Sequence, residues 1–202
     1  MVETRRRQIE DVASGLFREQ GYAGTSVRDI ARGVAIQGAS LYAHVASKED
    51  VLWAIVRRAA DQFEVAADEA ARETDGRPAD QRVEAIVRAH VGVVTADAGQ
   101  ASVFVREWRS LSTERRNRIG ARRDAYEQRW RRLISEGIEA GLFAPVDPDL
   151  AAAFLLTALN GIATWYRPDG PLSARAIAAE YTHLSRRALG AEAAIRRRRP
   201  ND

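Results

Sequence analysis

Between Ser26 and Lys48 the chain reads SVRDIARGVAIQGASLYAHVASK, and this stretch limits the fold more than any other. Ser26 followed three residues on by Asp29 marks a helix start, a capping box with Asp in place of Glu or Gln. Val27, Ile30, Ala31 and Val34 then recur at helical spacing and face inward. A break falls near Ala35, without the glycine that such a break favours. A further helix signal opens at Gln37 or Gly38, with Leu41 and Val45 as its core contacts. Two packed helices of about two turns each, joined by a tight turn, fit this length. That is a helix-turn-helix, the unit that lays its second helix in the DNA major groove. Gln37, Ala39, Ser40, Tyr42, Ala43 and His44 are left on faces that can meet DNA. Gln37 is the best base-edge candidate, because its amide pairs both acceptor and donor on adenine.

The flanks support the unit. Residues 3–20 predict a first helix, with Ile9, Val12, Ala13, Leu16 and Phe17 on one face and Gly21 at its C-cap. Arg5, Arg6 and Arg7 precede that face; three consecutive residues cannot share one side, so at most two reach DNA. Ser47, with Asp50 three residues on, caps a fourth helix whose stripe is Val51, Leu52, Ile55 and Val56.

The runs Ser26-Val-Arg-Asp-Ile-Ala, Ser40-Leu-Tyr-Ala-His and Ser47-Lys-Glu-Asp-Val-Leu keep register with one another. Over residues 8 to 55 the chain resembles the DNA-binding domain of the tetracycline-repressor (TetR) family. The resemblance implies phosphate contacts from Tyr42, His44 and Lys48, with Ser26 touching phosphate only secondarily. It also implies that Arg28 and the start of the third helix, Gln37, Gly38, Ala39 and Ser40, face base edges. The chain departs from the family pattern at Ala35 and Ala39, where glycine is usual, at Gln37 (serine) and at Val45 (phenylalanine). Gly38 is placed to take over the close backbone approach. These departures bear on base preference and leave the fold intact.

Beyond Lys48 the pattern stays helical, so the fold class is all-α: a helix-turn-helix domain at 1–47, a ligand-binding and dimerising domain at 48–190, and a basic disordered tail at 191–202. Helices are expected from 48 to about 74, over 80–96, from about 101 to 111, from Ser112 to about 140, from 148 to 166 and from 173 to 188. His90 falls on the apolar side of its helix and reads as a core histidine. The helix from Pro148 is apolar nearly all round, so a second copy of the chain is needed to cover what its own bundle does not. With the last helix, whose Ile177, Tyr181 and Leu184 share a face, it makes a four-helix homodimer interface, as in the TetR family. A two-fold dimer reads a palindromic double-stranded DNA operator with half-sites roughly 34–36 Å apart.

Charge poses a separate question. Thirty of the 31 basic residues are arginine, Lys48 being the exception. Residues 1–50 are neutral overall, whereas residues 101–135 carry ten basic and four acidic groups. Arg123 lies between Ile119 and Tyr126 on an otherwise inward face, with Arg122 beside it. An inward guanidinium needs a carboxylate partner or an anionic ligand. The segment Phe104 to Leu111, the arginine-rich helix and the run from Asn160 to Ser173 look similar to TetR members that sense acyl-coenzyme A thioesters. That likeness implies an acyl tunnel lined by Phe104, Trp108, Tyr126, Trp130, Phe154 and Trp165, Asn160 beside it, and Arg109, Arg122 and Arg123 at the mouth for phosphates. A hydrophobic effector without coenzyme A, and an effector-blind DNA-binding protein, are the alternatives.

Other classes find little support. With no cysteine there is neither a disulfide framework nor a thiolate metal site. His44, His90 and His183 are scattered without metal spacing or a nucleophile motif, so neither catalysis nor a cofactor is expected. The charged N-terminus lacks an apolar leader, and the apolar run 150–166 reads as buried helix rather than a membrane span. A cytoplasmic location is the default.

Overall fold

The computed structural model describes residues 2–191. The basic tail expected at 191–202 thus lies outside the described residues from 192 on. The described elements are all helical: α1 (Val2–Gly24), α2 (Val27–Gly33), α3 (Gly38–Leu41), α4 (Lys48–Glu73), α5 (Ala79–Ala96), α6 (Ala98–Arg106), a 3-10 turn (Trp108–Ser110), α7 (Thr113–Glu139), α8 (Pro148–Trp165) and α9 (Ala174–Ala188). They fall into two compact units, one of residues up to 61 together with 97–122, the other of 62–96 together with residues from 123 on. The divide lies within α4 and within α7.

In the first unit α1 packs on α2 and α6, and α2 on α3. Ile9, Ala13 and Phe17 of α1 are buried, as are Ile30, Ala31 and Val34, then Leu41 and Val45, then Leu52, Ile55 and Val56. Gly21 breaks α1 with φ 75°, a left-handed conformation that glycine adopts without the penalty of a Cβ. At Gly33 a Cβ would lie 2.5 Å from Val12 Cγ1, so its absence sets how closely α2 seats on α1. The Ser26 hydroxyl accepts from the Asp29 amide at 3.2 Å while the Asp29 carboxylate accepts from the Ser26 amide at 2.9 Å, completing the capping box.

The end of α2 is a Schellman turn: the Ile36 amide donates to the Ala31 carbonyl and the Ala35 amide to the Arg32 carbonyl. Ala35 therefore sits at φ 54°, and among the described residues it is the one non-glycine at positive φ. An L-residue there costs about 1–2 kcal/mol, part of which glycine returns as lost chain entropy. Ala35→Gly is expected to raise unfolding free energy by about 0.5–1 kcal/mol, read from the denaturant midpoint at unchanged slope.

Two expectations need correction here. The third helix is a single turn rather than two, because after Leu41 the backbone continues as hydrogen-bonded turns to Val45. The helix expected at 101–111 begins earlier, at Ala98, because the Asp97 carboxylate accepts from the Gln100 amide at 2.8 Å and caps it. It also ends earlier, at Arg106, with only the 3-10 turn before Leu111 becomes extended.

In the second unit α5 packs on α8 and α9. Val83, Val87, Val91 and Val94 of α5 are buried, as are Leu155, Leu159 and Ile162 of α8 and Trp130 and Ile134 of α7. Asp147 caps α8 and Pro148 starts it. Its own chain covers α8 on one side, and Leu150, Phe154 and Trp165 stay exposed on the other. Of the α9 face expected at the dimer interface, Ile177 is buried with Thr182 and Ser185, Tyr181 is half-buried and Leu184 is exposed.

Candidate DNA interface and effector region

The first unit presents the expected reading edge. Tyr42, just past the last residue of α3, is 57% exposed, so it is not packed between helices. Gln37 is the N-cap of α3 yet makes no capping hydrogen bond with its side chain, leaving its amide at the surface. Ser40 and Arg28 are exposed and His44 half-buried. His44 Nδ1 is enclosed without a hydrogen-bond partner. A Cβ at Gly38 would meet nothing within 4 Å, so the fold itself does not require a glycine there. The side chain of Ala39 lies outside the described residues. Ser26 is exposed, with its hydroxyl committed to the cap; the hydrogen bond from that hydroxyl holds the Asp29 carboxyl below its usual range.

Lys48 has a task the sequence did not disclose. Its Nζ donates to the carbonyls of Tyr22 and Thr25, each at 2.8 Å, and sits 4.1 Å from the centre of the Tyr22 ring. It thereby pins the start of α4 to the last turn of α1 and the link that follows it. An ammonium carries three donors, so one remains for an outside acceptor.

Behind this edge α7 holds the N-terminal turn of α4. The Ser112 amide donates to Glu49 at 3.1 Å, and hydrogen bonds from the Ser112 side chain and then its amide draw the Glu49 carboxyl below its usual range. Arg115 lies 3.4 Å from Glu49 and donates to Asp50 at its other end, lowering Asp50 together with the Ser47 hydroxyl. Arg115 and Arg118 also lie over the Trp53 ring. Arg122 donates to Asp61 at 2.7 Å. In the second unit Arg129 pairs with Asp68, and Arg131 with Glu127 and Asp149. Arg115, Arg122 and Arg129 recur every seven residues on α7, and each of these three pairs with an acid of α4 within its own unit.

The residues expected to line an effector tunnel are divided. Phe104, Trp108, Arg109 and Arg122 belong to the first unit. Phe104 is buried, and Arg109 is exposed with its guanidinium 4.5 Å from the centre of the Trp108 ring. In the second unit Arg123 is half-buried. Phe154 and Trp165 are exposed on α8, so they line no interior of that unit, a correction that follows from α8 having one uncovered side.

Tyr126, Trp130 and Asn160 are instead drawn together by a residue not expected to take part, His90 of α5. Its Nδ1 lies 3.1 Å from the Tyr126 hydroxyl, and its ring lies against Phe63, Tyr126 and Trp130 at centroid distances of 4.7, 5.9 and 6.1 Å. Burial pushes the His90 pKa down to about 3, with the Asn160 amide acting the other way. Burial also raises the Tyr126 phenol above its ordinary range, with Trp130 and Arg129 opposing. The cluster is uncharged at neutral pH and offers hydrogen bonds inside an aromatic wall. Only the apolar position of His90 was visible in the sequence; its partners come from other helices.

Among the described residues no group of histidines and carboxylates could hold a metal ion, and no helix is long and apolar enough to cross a membrane. Residues 9–55 match the family described as bacterial regulatory proteins, tetR family, and residues 76–189 match the tetracyclin repressor-like C-terminal domain. The chain belongs to the TetR family. This TetR-family regulator is 30% identical over 186 residues to the transcriptional repressor KstR2 of Mycobacterium tuberculosis, covering 89% of this chain and 90% of the relative. The structure of KstR2, a ketosteroid transcriptional regulator, superposes with TM-score 0.86 at 28% identity, covering 94% of this chain and 96% of that one. AibR, in complex with isovaleryl coenzyme A and operator DNA, superposes with TM-score 0.77 at 31% identity, covering 89% and 97%.

Proposed function

We propose that this regulator is a ligand-controlled repressor that binds an inverted-repeat operator as a homodimer and releases it on binding an acyl-coenzyme A thioester. The observation that carries the reading is the exposed edge of α3, where Tyr42 and the uncommitted amide of Gln37 stand on a scaffold pinned by Lys48. The exposed apolar stripe of α8, Leu150, Phe154 and Trp165, with Leu184 of α9, supports pairing with a second copy, since such faces mark association sites. AibR binds both a coenzyme A thioester and operator DNA. The neutral cluster around His90 suits an acyl group whose polar atom is uncharged. Effector binding need only favour the DNA-incompetent state, and a 100-fold preference corresponds to about 2.7 kcal/mol.

Selection of DNA from a random pool by the purified protein tests this. An inverted repeat with half-sites about one helical turn apart is expected, released by acyl-coenzyme A thioesters and not by the matching free acids. Tyr42→Ala should weaken binding to every sequence, whereas Gln37→Ala should change the preferred half-site, by about 1–3 kcal/mol at one base pair. Equal loss at all sites with Gln37→Ala removes it from base reading. Release by the free acid as well would favour a hydrophobic effector without coenzyme A, and no release at all an effector-blind protein.

A further inference from the structure

In the second unit a cleft of about 270 Å³ opens among α4, α5 and α7, and none of its lining residues belongs to the cluster around His90. Its floor is apolar, formed by the buried Ala67 and Ile86 with Leu133, and Ala71 stands at its lip. Three arginines are among its lining residues, Arg82, Arg129 and Arg132. Two of them are paired across helix seams, Arg129 of α7 with Asp68 of α4 and Arg82 of α5 with Glu136 of α7. In both pairs the arginine is the deeper partner: the two arginine side chains are each 33% exposed, against 52% for Asp68 and 47% for Glu136. The carboxylates therefore lie like loose covers over the cations. Half-solvated pairs of this kind are worth about 1 kcal/mol or less, so a better-fitting anion can displace them. Arg132 has no carboxylate within ion-pair distance among the described residues, which leaves the cleft with one net positive charge.

We infer that this cleft binds a small amphipathic anion, one carboxylate or phosphate head on a short hydrocarbon body. The head takes the forked donors of Arg129 and Arg132, which match a carboxylate or phosphate in a bidentate way. The body lies on Ala67, Ile86 and Leu133. The volume corresponds to about nine waters, the size of a molecule of roughly ten heavy atoms. Binding transfers Arg129 from Asp68 to the ligand and so removes one ion pair between α4 and α7. None of its lining residues lies on the edge proposed to read DNA or among the rings proposed to receive the acyl group.

Calorimetric titration of the full-length protein tests the site with three probes: octanoate, inorganic phosphate and octanol. Octanoate is expected to bind once per chain, phosphate about tenfold more weakly for want of a body, and octanol undetectably. Arg132→Gln and Ala71→Leu should each weaken octanoate about tenfold, the first by removing a donor and the second by narrowing the lip. Asp68→Asn should strengthen it several-fold by removing the competing carboxylate, a gain that no folding defect produces. Absence of octanoate binding, equal binding of octanol, or affinity unchanged in Arg132→Gln and Ala71→Leu overturns the assignment. So does a loss of affinity in Asp68→Asn.

Discussion

Arg58→Ala is expected to lower the unfolding free energy by about 3 kcal/mol, near the lower end of what breaking a buried ion pair costs. The Arg58 side chain is only 15% exposed and the Glu10 side chain 10%. One guanidinium edge donates to Glu10 at 2.6 Å, another to Asp11 at 3.2 Å, and Nε donates to Gln100. One side chain of α4 thus ties α1 and α6 into the unit that carries the reading edge. Truncation removes a donor from Gln100 and leaves the enclosed Glu10 charge with Arg6 alone, 3.3 Å away and half-exposed. The remaining pair is why the loss should fall at the low end. Replacing both ends with apolar residues, Arg58→Met with Glu10→Leu, should cost less than Arg58→Ala by itself, because no charge is then stranded. Urea midpoints of the three proteins decide this. If the double variant is the less stable, a stranded carboxylate is not the source of the cost, and the hydrogen bonds and ion pairs that Gln100, Asp11 and Arg6 then lose are.

What the sequence disclosed follows from the range of the interaction involved. Ser26 with Asp29, Ser47 with Asp50 and the stripe of α1 are local patterns, and the structure keeps them where the spacing put them. Gly21 was legible because one residue type suits its backbone. The short α3 was not, since Ala43 and His44 are compatible with a helix and only the turn geometry after Leu41 ends it. Arginine partners were illegible for another reason. Arg122 with Asp61 and Arg129 with Asp68 are each 61 residues apart, and the seven-residue repeat on α7 has meaning only beside the acids of α4. Lys48 shows the same limit at the candidate interface: its place in the motif was plain, its bonds to the Tyr22 and Thr25 carbonyls were not. The exposure of Phe154 and Trp165 was hidden because an apolar helix reads alike whether its own chain or another molecule covers it.

Acidification should destabilise the second unit through His90 well before most carboxylates titrate. The ring is 2% exposed and faces Phe63, Tyr126, Trp130 and Asn160, with no carboxylate among these neighbours to favour the imidazolium. Its pKa is about 3 in the folded chain, against an ordinary 6.5 when exposed. Between those values the unfolded chain binds a proton that the folded chain does not, so stability falls as pH falls. The stabilisation from a neutral His90 is complete above pH 6.5 and is lost at about 1.4 kcal/mol per pH unit down to the folded value. Below about pH 5 the lowered carboxyls of Asp29, Glu49 and Asp50 add losses of the same sign, so the diagnostic window lies between pH 6.5 and 5. His90→Gln keeps a polar, uncharged side chain and removes the titration. Its stability at pH 7 should be below that of the wild type, and the two unfolding free energies should converge on acidification. A wild-type curve that stays level from pH 6.5 to 5 would falsify the enclosure of this imidazole, and with it the neutral, hydrogen-bonding wall on which an uncharged acyl group depends.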